Sequence, residues 1–454
     1  DPATLHVLTN NIETVEVSEG PYDIENFGTL SGLVDIKTKK PSKEFSGEVN
    51  LNAGSFNYKK VSATASGGTD MFRVLLSASK ETSGQYKDGD GNTFADQIDN
   101  YFNNPASPNS YQTHYKDMDA YDKKTFMGKL FFNPTDNQEL RLSYTANRSD
   151  DILYPSSGMD ALYDDSDIYN LEYSIADMGT FSKKLDFQAY HSEVDHPMST
   201  KYRVKSGVNS IDEMVSHLTT SVDGLRLKNL MEVGEADVTV GVDASRRNWD
   251  GEYVKYGAMA AMITGRKSIN DVDTDNVALF TKYEQSFGKL DIDLGLRYDD
   301  TSIDHSGNLQ DNDYSSLNGY IFTTYNADGG TQYFVGAGKS TRVPDARELY
   351  FQSGMGMPQP LYGTPTLDQT KNYEIDLGVK KQYDNAYAKV KVFHSWLKDF
   401  IVYNGSTTVT TNKFENVDAK VYGIELSSFY AASDALSFDA GLAYQRGKKD
   451  VPLA

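Results

Sequence analysis

The sequence predicts an all-β protein built as a transmembrane antiparallel β-barrel. Three observations carry that prediction. Apolar and polar residues alternate with period two in segment after segment, the spacing of a strand and not of a helix. The connections alternate between short turns and long loops, which puts short turns at one rim of a barrel and long loops at the other. No apolar run approaches the roughly 18–20 residues that a membrane helix needs, so a helical membrane protein is excluded, while a barrel, which turns only alternate residues to lipid, is not.

In chain order, the first element is a strand–turn–strand over residues 13–41. Val15 to Val17 and Leu33 to Ile36 form its two apolar runs, and Gly20, Gly28 and Gly32 permit the tight reversals between them. Beyond Pro41 the pattern becomes strand, turn, strand, loop. Leu140, Leu142, Tyr144 and Ala146 share one face of a strand, and Ala236, Val238, Val240 and Val242 share another. Leu290, Ile292, Leu294, Leu296 and Tyr298 lie opposite Asp291, Asp293, Gly295 and Arg297. Tyr373, Ile375, Leu377 and Val379 repeat the arrangement, as do Leu436, Phe438, Ala440, Leu442 and Tyr444. Roughly seventeen such segments occur, most about 10–15 residues long, longer than the usual globular strand. Turn chemistry marks the short connections, as at Gly67-Gly68-Thr69-Asp70, Pro134-Thr135-Asp136-Asn137 and Gly288-Lys289. Between them lie long segments at 83–121, 150–163, 197–212, 246–272, 301–313, 341–372 and 404–414. A soluble sandwich also alternates, but it does not sustain long strands with every second loop extended.

Composition narrows the function. The 454 residues carry a net charge of −21, which argues against a nucleic-acid partner. With no Cys there is neither a disulfide nor a thiolate metal site. The 31 Tyr and 21 Phe against 2 Trp suit strands and interfacial girdles alike. No nucleophile–base pair stands at recognisable spacing, and no enzymatic activity is expected.

The stretch at 13–41 resembles the last part of the plug domain of TonB-dependent outer-membrane receptors. The matching residues are Val15, Glu16, Val17, Gly20, Pro21, Gly28, Gly32, Asp35, Ile36, Thr38, Lys39 and Pro41. Three barrel segments resemble the same family: Gly338 through Tyr350, with Arg342, Pro344, Glu348 and Leu349; Pro365-Thr366-Leu367 followed by Glu374 and Gly378; and Asn416 through Glu425, with Ala419 and Gly423. The resemblance implies a C-terminal plug remnant at 1–43 and a receptor barrel at 44–454. Barrels of this family have about 22 strands around a plugged lumen, so the chain is expected to be a portion of a longer protein. The signal, TonB box, first part of the plug and last strands would lie outside it. The implied partners are the TonB energy-transducing complex, outer-membrane lipid and a metal or metal chelate, in the outer membrane of a Gram-negative bacterium. No resident cofactor is implied, since the metal is cargo.

Several motifs compete as the chemical site. Gly336-Ala337-Gly338-Lys339-Ser340-Thr341 imitates the end of a phosphate-binding loop, but Tyr333 stands where its first glycine belongs and Pro344 opposes the helix it needs. Asp88, Asp90 and Asn92 imitate half a Ca²⁺ loop, with Asp99 as its last ligand, but Thr93 replaces the required glycine. His196-Pro197-Met198, read as following a strand at the start of a long loop, sets an imidazole and a thioether two residues apart, facing one way on extended backbone. That pair suits a soft metal such as Cu(I), and Met159 in the preceding long loop is a candidate third ligand. Val194-Asp195-His196-Pro197-Met198 and Met159-Asp160 resemble motifs of TonB-dependent copper receptors, in which further ligands, including a Cys, can come from the plug. The same residues also suit a purely structural role at the barrel rim. Met259/Met262 and Met355/Met357 are further pairs in long loops, and His114 and Met118 add to them. A ferric-siderophore site would draw instead on Tyr154, Tyr163, Tyr350, Tyr362 and Arg342. The expected function is therefore active uptake of a scarce metal, favouring copper. The alternatives are a ferric-siderophore receptor, a surface-binding barrel serving as adhesin or phage receptor, and a soluble carbohydrate-binding sandwich.

Overall fold

Seventeen strands follow one another as the wall of a barrel in a computed structural model that describes residues 7–179, 181–406 and 408–450. A separate two-stranded ribbon, β1 (Ile12–Glu19) and β2 (Gly32–Thr38), precedes them. The wall begins with β3 (Ser46–Ala53), β4 (Lys59–Gly68), β5 (Phe72–Ser83), β6 (Tyr121–Thr135), β7 (Gln138–Ile152) and β8 (Asp160–Ala176). It continues with β9 (Lys184–Ser199), β10 (Met214–Val233), β11 (Ala236–Lys255), β12 (Lys267–Phe287), β13 (Leu290–His305) and β14 (Asn312–Ala327). It ends with β15 (Thr331–Arg342), β16 (Thr370–Gln382), β17 (Ala386–Tyr403), β18 (Phe414–Ser433) and β19 (Leu436–Lys449). Each strand pairs antiparallel with the next. The first and last strands of the wall, β3 and β19, are exposed along almost their whole length.

Burial is inverted relative to a soluble sheet. On β13 the polar face is buried, with Arg297 2% and Asp299 4% exposed, while Leu296 and Tyr298 on the apolar face are each 48% exposed. On β16 Asn372, Glu374 and Asp376 are buried and Tyr373, Ile375 and Leu377 exposed. The apolar faces therefore point away from the lumen, as they must if lipid is their solvent. No helix among the described residues is long and apolar enough to cross a membrane.

The long connections are more structured than the sequence pattern suggests. Strands β11 and β12 run far into 246–272, leaving only a short tip capped by α2 (Ala260–Ile263). The segment 83–121, expected as loop, contains α1 (Phe94–Phe102), started by a reciprocal cap between Thr93 and Asp96. Thr93 is thus a helix cap rather than a flawed Ca²⁺-loop glycine, and Asp99 pairs with Lys116. A third helix, α3 (Ala346–Tyr350), has the same cap from Asp345 and Glu348. Tyr350 is fully buried beside Leu349, Ile269 and Ile303.

Candidate functional site

The ribbon lies inside the barrel and is held from several sides. Lys60 and Thr64 on β4 bond Thr9 and Asn11, and Lys129 on β6 donates to the carbonyls of Thr38 (3.1 Å) and Lys39 (3.0 Å). From the other side of the lumen, Lys228 reaches Glu25 (2.8 Å) and Lys391 reaches Glu19 (2.9 Å). Buried Arg297 donates to the carbonyls of Ile24 (3.3 Å) and Glu25 (3.2 Å) while pairing with Asp243 and Asp299. Tyr22 bonds Asp376 and meets Tyr320 and Phe322 edge-on. Burial, helped by the Asp376 charge, pushes the Tyr22 hydroxyl far above its ordinary range. Burial alone would raise the Glu19 carboxyl, but Lys391 and Lys389 hold it below its ordinary value. The glycines once legible as a phosphate loop sit on β15, where a Cβ at Gly336 would lie 2.3 Å from the Tyr22 hydroxyl and one at Gly338 2.8 Å from Pro21 Cγ.

The second site is at the long-loop rim. His196 and Met198 lie within β9, which extends to Ser199, and not in the loop after it. On β10, Arg226 and Lys228 reach the ribbon, so even-numbered positions of this strand face the lumen. The β9–β10 register is unbroken, pairing His196 with Leu218 and Met198 with Ser216. His196 and Met198 therefore face the lumen too. Met198 also pairs with Ala161, and Met159 sits two residues before Ala161, at the bend that opens β8. A bulge between Ala161 and Asp165 re-aims this end of β8.

Around His196, the Asp164 carboxylate lies 3.5 Å from Nδ1, and the Tyr154 ring meets the imidazole edge-on at 6.0 Å. Burial, with the Asp164 charge, pushes the Tyr154 hydroxyl up to about 12. Among the described residues no three His, Cys, Asp or Glu side chains form a group that could hold a metal.

Beside it is a buried ion pair that sequence reasoning missed. Arg203 and Asp160 are both fully buried. Arg203 Nε and Nη2 donate to the two Asp160 oxygens, each at 2.6 Å. Tyr111 donates to Asp160 at 2.9 Å, and the guanidinium lies 4.0 Å from the centre of the Tyr111 ring. Asp160 also accepts from the Tyr154 backbone N–H at 2.8 Å. No local pattern announces this pair, because its members, one opening β8 and the other in the connection after β9, stand 43 residues apart.

The remaining candidates separate. Tyr163 bonds Asp195 at 3.2 Å, Arg342 is held bidentate by Glu348 at 2.9 Å, and Tyr350, the last residue of α3, is buried. Tyr154 meets His196 edge-on. Tyr362 packs on Phe351. His191 and His217 pair with Asp223 (2.7 Å) and Asp195 (2.6 Å). Met259, Met262, Met355 and Met357 are exposed on the loops.

This inverted wall with its internal ribbon is the architecture of an outer-membrane receptor barrel. Residues 52–453 match the family described as TonB dependent receptor-like, beta-barrel, and the chain belongs to that family. It is a family of receptors, not enzymes. No curated protein matches the sequence. Among solved structures, the chain is similar to "Copper transporter OprC" (20% identity, TM-score 0.81), covering 99% of this chain and 68% of that one. It is also similar to the FrpB iron transporter from Neisseria meningitidis (16%, TM-score 0.74), covering 98% of this chain and 68% of that one. A third similar structure is the alcaligin outer-membrane receptor FauA from Bordetella pertussis (15%, TM-score 0.66; 98% and 69%).

Proposed function

We propose that this chain is the plug remnant and barrel of a TonB-dependent transporter in the outer membrane of a Gram-negative bacterium, taking up a scarce metal, with copper favoured. The long-loop rim faces outward, residues 1–43 are the plug remnant, and the ribbon held in the lumen obstructs passage. Energy delivered by TonB displaces the plug to admit the cargo. The observation that carries the copper reading is the β9–β10 register, which supports His196 and Met198 as a lumen-facing pair at the outer rim, with Met159 in the chain two residues before Ala161, the β8 partner of Met198. Imidazole and thioether donors select Cu(I) over hard cations. Asp164 beside Nδ1 favours the proton on that nitrogen, leaving Nε2 with the lone pair that a metal takes. The resemblance of OprC, a copper transporter, agrees with this.

The ferric-chelate reading rests on the similar iron and alcaligin receptors. The test is metal content of the full-length receptor in detergent, loaded with Cu(I) or with ferric chelates, desalted and analysed by elemental mass spectrometry. Stoichiometric copper that disappears in His196→Ala/Met198→Ala is expected. A parent that retains iron chelate and no copper would assign those residues to rim structure.

A further inference from the structure

We propose that Arg203 is a positioning residue for the metal site, acting through Asp160; this rests on the copper reading above. Four links converge on Asp160. Asp160 directly follows Met159, and it is the register partner of Ser199, the neighbour of Met198. It accepts the backbone N–H of Tyr154, whose ring packs against His196. Its two oxygens take the guanidinium fork of Arg203, and one also takes the Tyr111 hydroxyl. Met159 thus adjoins Asp160 in the chain, Met198 is reached by one register step and one residue, and His196 through the Tyr154 ring.

Arg203 carries the tie further. Its Nη1 donates to the Asn109 carbonyl at 2.8 Å and its Nη2 to the Tyr154 carbonyl at 3.1 Å. Its backbone forms a bridge with Tyr111. One side chain therefore joins the connections after β5, β7 and β9. The planar fork sets angle as well as distance, which a lysine cannot do. A buried pair of this kind adds little net stability, because desolvation offsets attraction, but it can hold one conformation against its alternatives. Met159 lies on a bend with no ladder of its own, so its thioether is the donor that depends most on this frame. His196 and Met198 are fixed by β9 on both edges.

The experiment uses the full-length receptor in detergent, with Cu(I) affinity measured by competition against a chromogenic Cu(I) chelator. The variants are Arg203→Lys, Asp160→Asn, Met159→Ala and Met159→Ala/Arg203→Lys, each first checked for heat-modifiable migration of the folded barrel. Arg203→Lys is expected to lose about ten- to a hundredfold in affinity, the usual effect of disturbing groups that orient ligands. The double variant is expected to bind no more weakly than Met159→Ala, since Arg203 acts through Met159. Parent-like affinity in Arg203→Lys, or full additivity in the double variant, would reduce Arg203 to loop structure while leaving the copper reading intact. Asp160→Asn keeps the question answerable if the lysine variant does not fold. A parent that binds no Cu(I) removes the copper reading and this assignment together.

Discussion

Tyr154 shows how one side chain reports on the rim. Burial, with the Asp164 charge, lifts its hydroxyl to about 12, whereas in an unfolded chain a tyrosine titrates near ~10. The folded state keeps a proton that the unfolded state has released, so this stabilising contribution is complete below pH ~10 and is lost as pH rises toward about 12. Tyr111 and Tyr202 are shifted in the same direction, first by burial and then by nearby carboxylates. Amide exchange over 150–163 is therefore expected to accelerate through that alkaline window. Tyr154→Phe should flatten part of the rise. Unchanged pH dependence in that variant would mean Tyr154 is not titrating with the loop. The three donor candidates were legible as residue types at a spacing. The position of His196 and Met198 inside β9 was not, because a strand that runs past the apolar band loses the alternation by which its end is recognised.

The ribbon and the β15 wall are matched elements. Gly336 and Gly338 are small because Pro21 and Tyr22 occupy the space a Cβ would take. Gly338→Leu is expected to leave the barrel folded but to dislodge the ribbon, an overpacking cost of about 1–3 kcal/mol. The reading is protease sensitivity at residues 20–30 together with ion conductance of the receptor in planar bilayers. Parent-like values for both would show that the wall tolerates the added side chain. The ribbon strands were visible as β-branched runs, and the glycines were visible as a motif. Their mutual purpose was not, since more than 300 residues separate them. Helix α1 escaped notice for a local reason: nine residues among Asn, Asp, Gly and Pro read as loop until a reciprocal cap and buried Phe94 and Ile98 stabilise them.

For the molecule as a whole, the inverted burial makes a quantitative demand on its solvent. Leu279 faces outward and Asn276 is buried toward the lumen on the same strand. Leu279→Arg should destabilise the barrel in lipid vesicles by about 2–4 kcal/mol if it lies near the bilayer midplane, measured by denaturant unfolding in vesicles. An effect below ~0.5 kcal/mol would place that face outside the hydrocarbon. The fold class, the roughly seventeen strands and the two unlike rims were readable from the chain, because period-two alternation and turn chemistry are local and survive without neighbours; the receptor family was readable only through the resemblance of the 13–41 stretch and three barrel segments to known motifs. Which apolar face looks outward, which lumen residues grip the ribbon, and how Asp160 and Arg203 bind three loops into one frame emerged only from the assembled barrel. Those depend on register between strands and on contacts closed across tens to hundreds of residues, and no spacing along the chain encodes them.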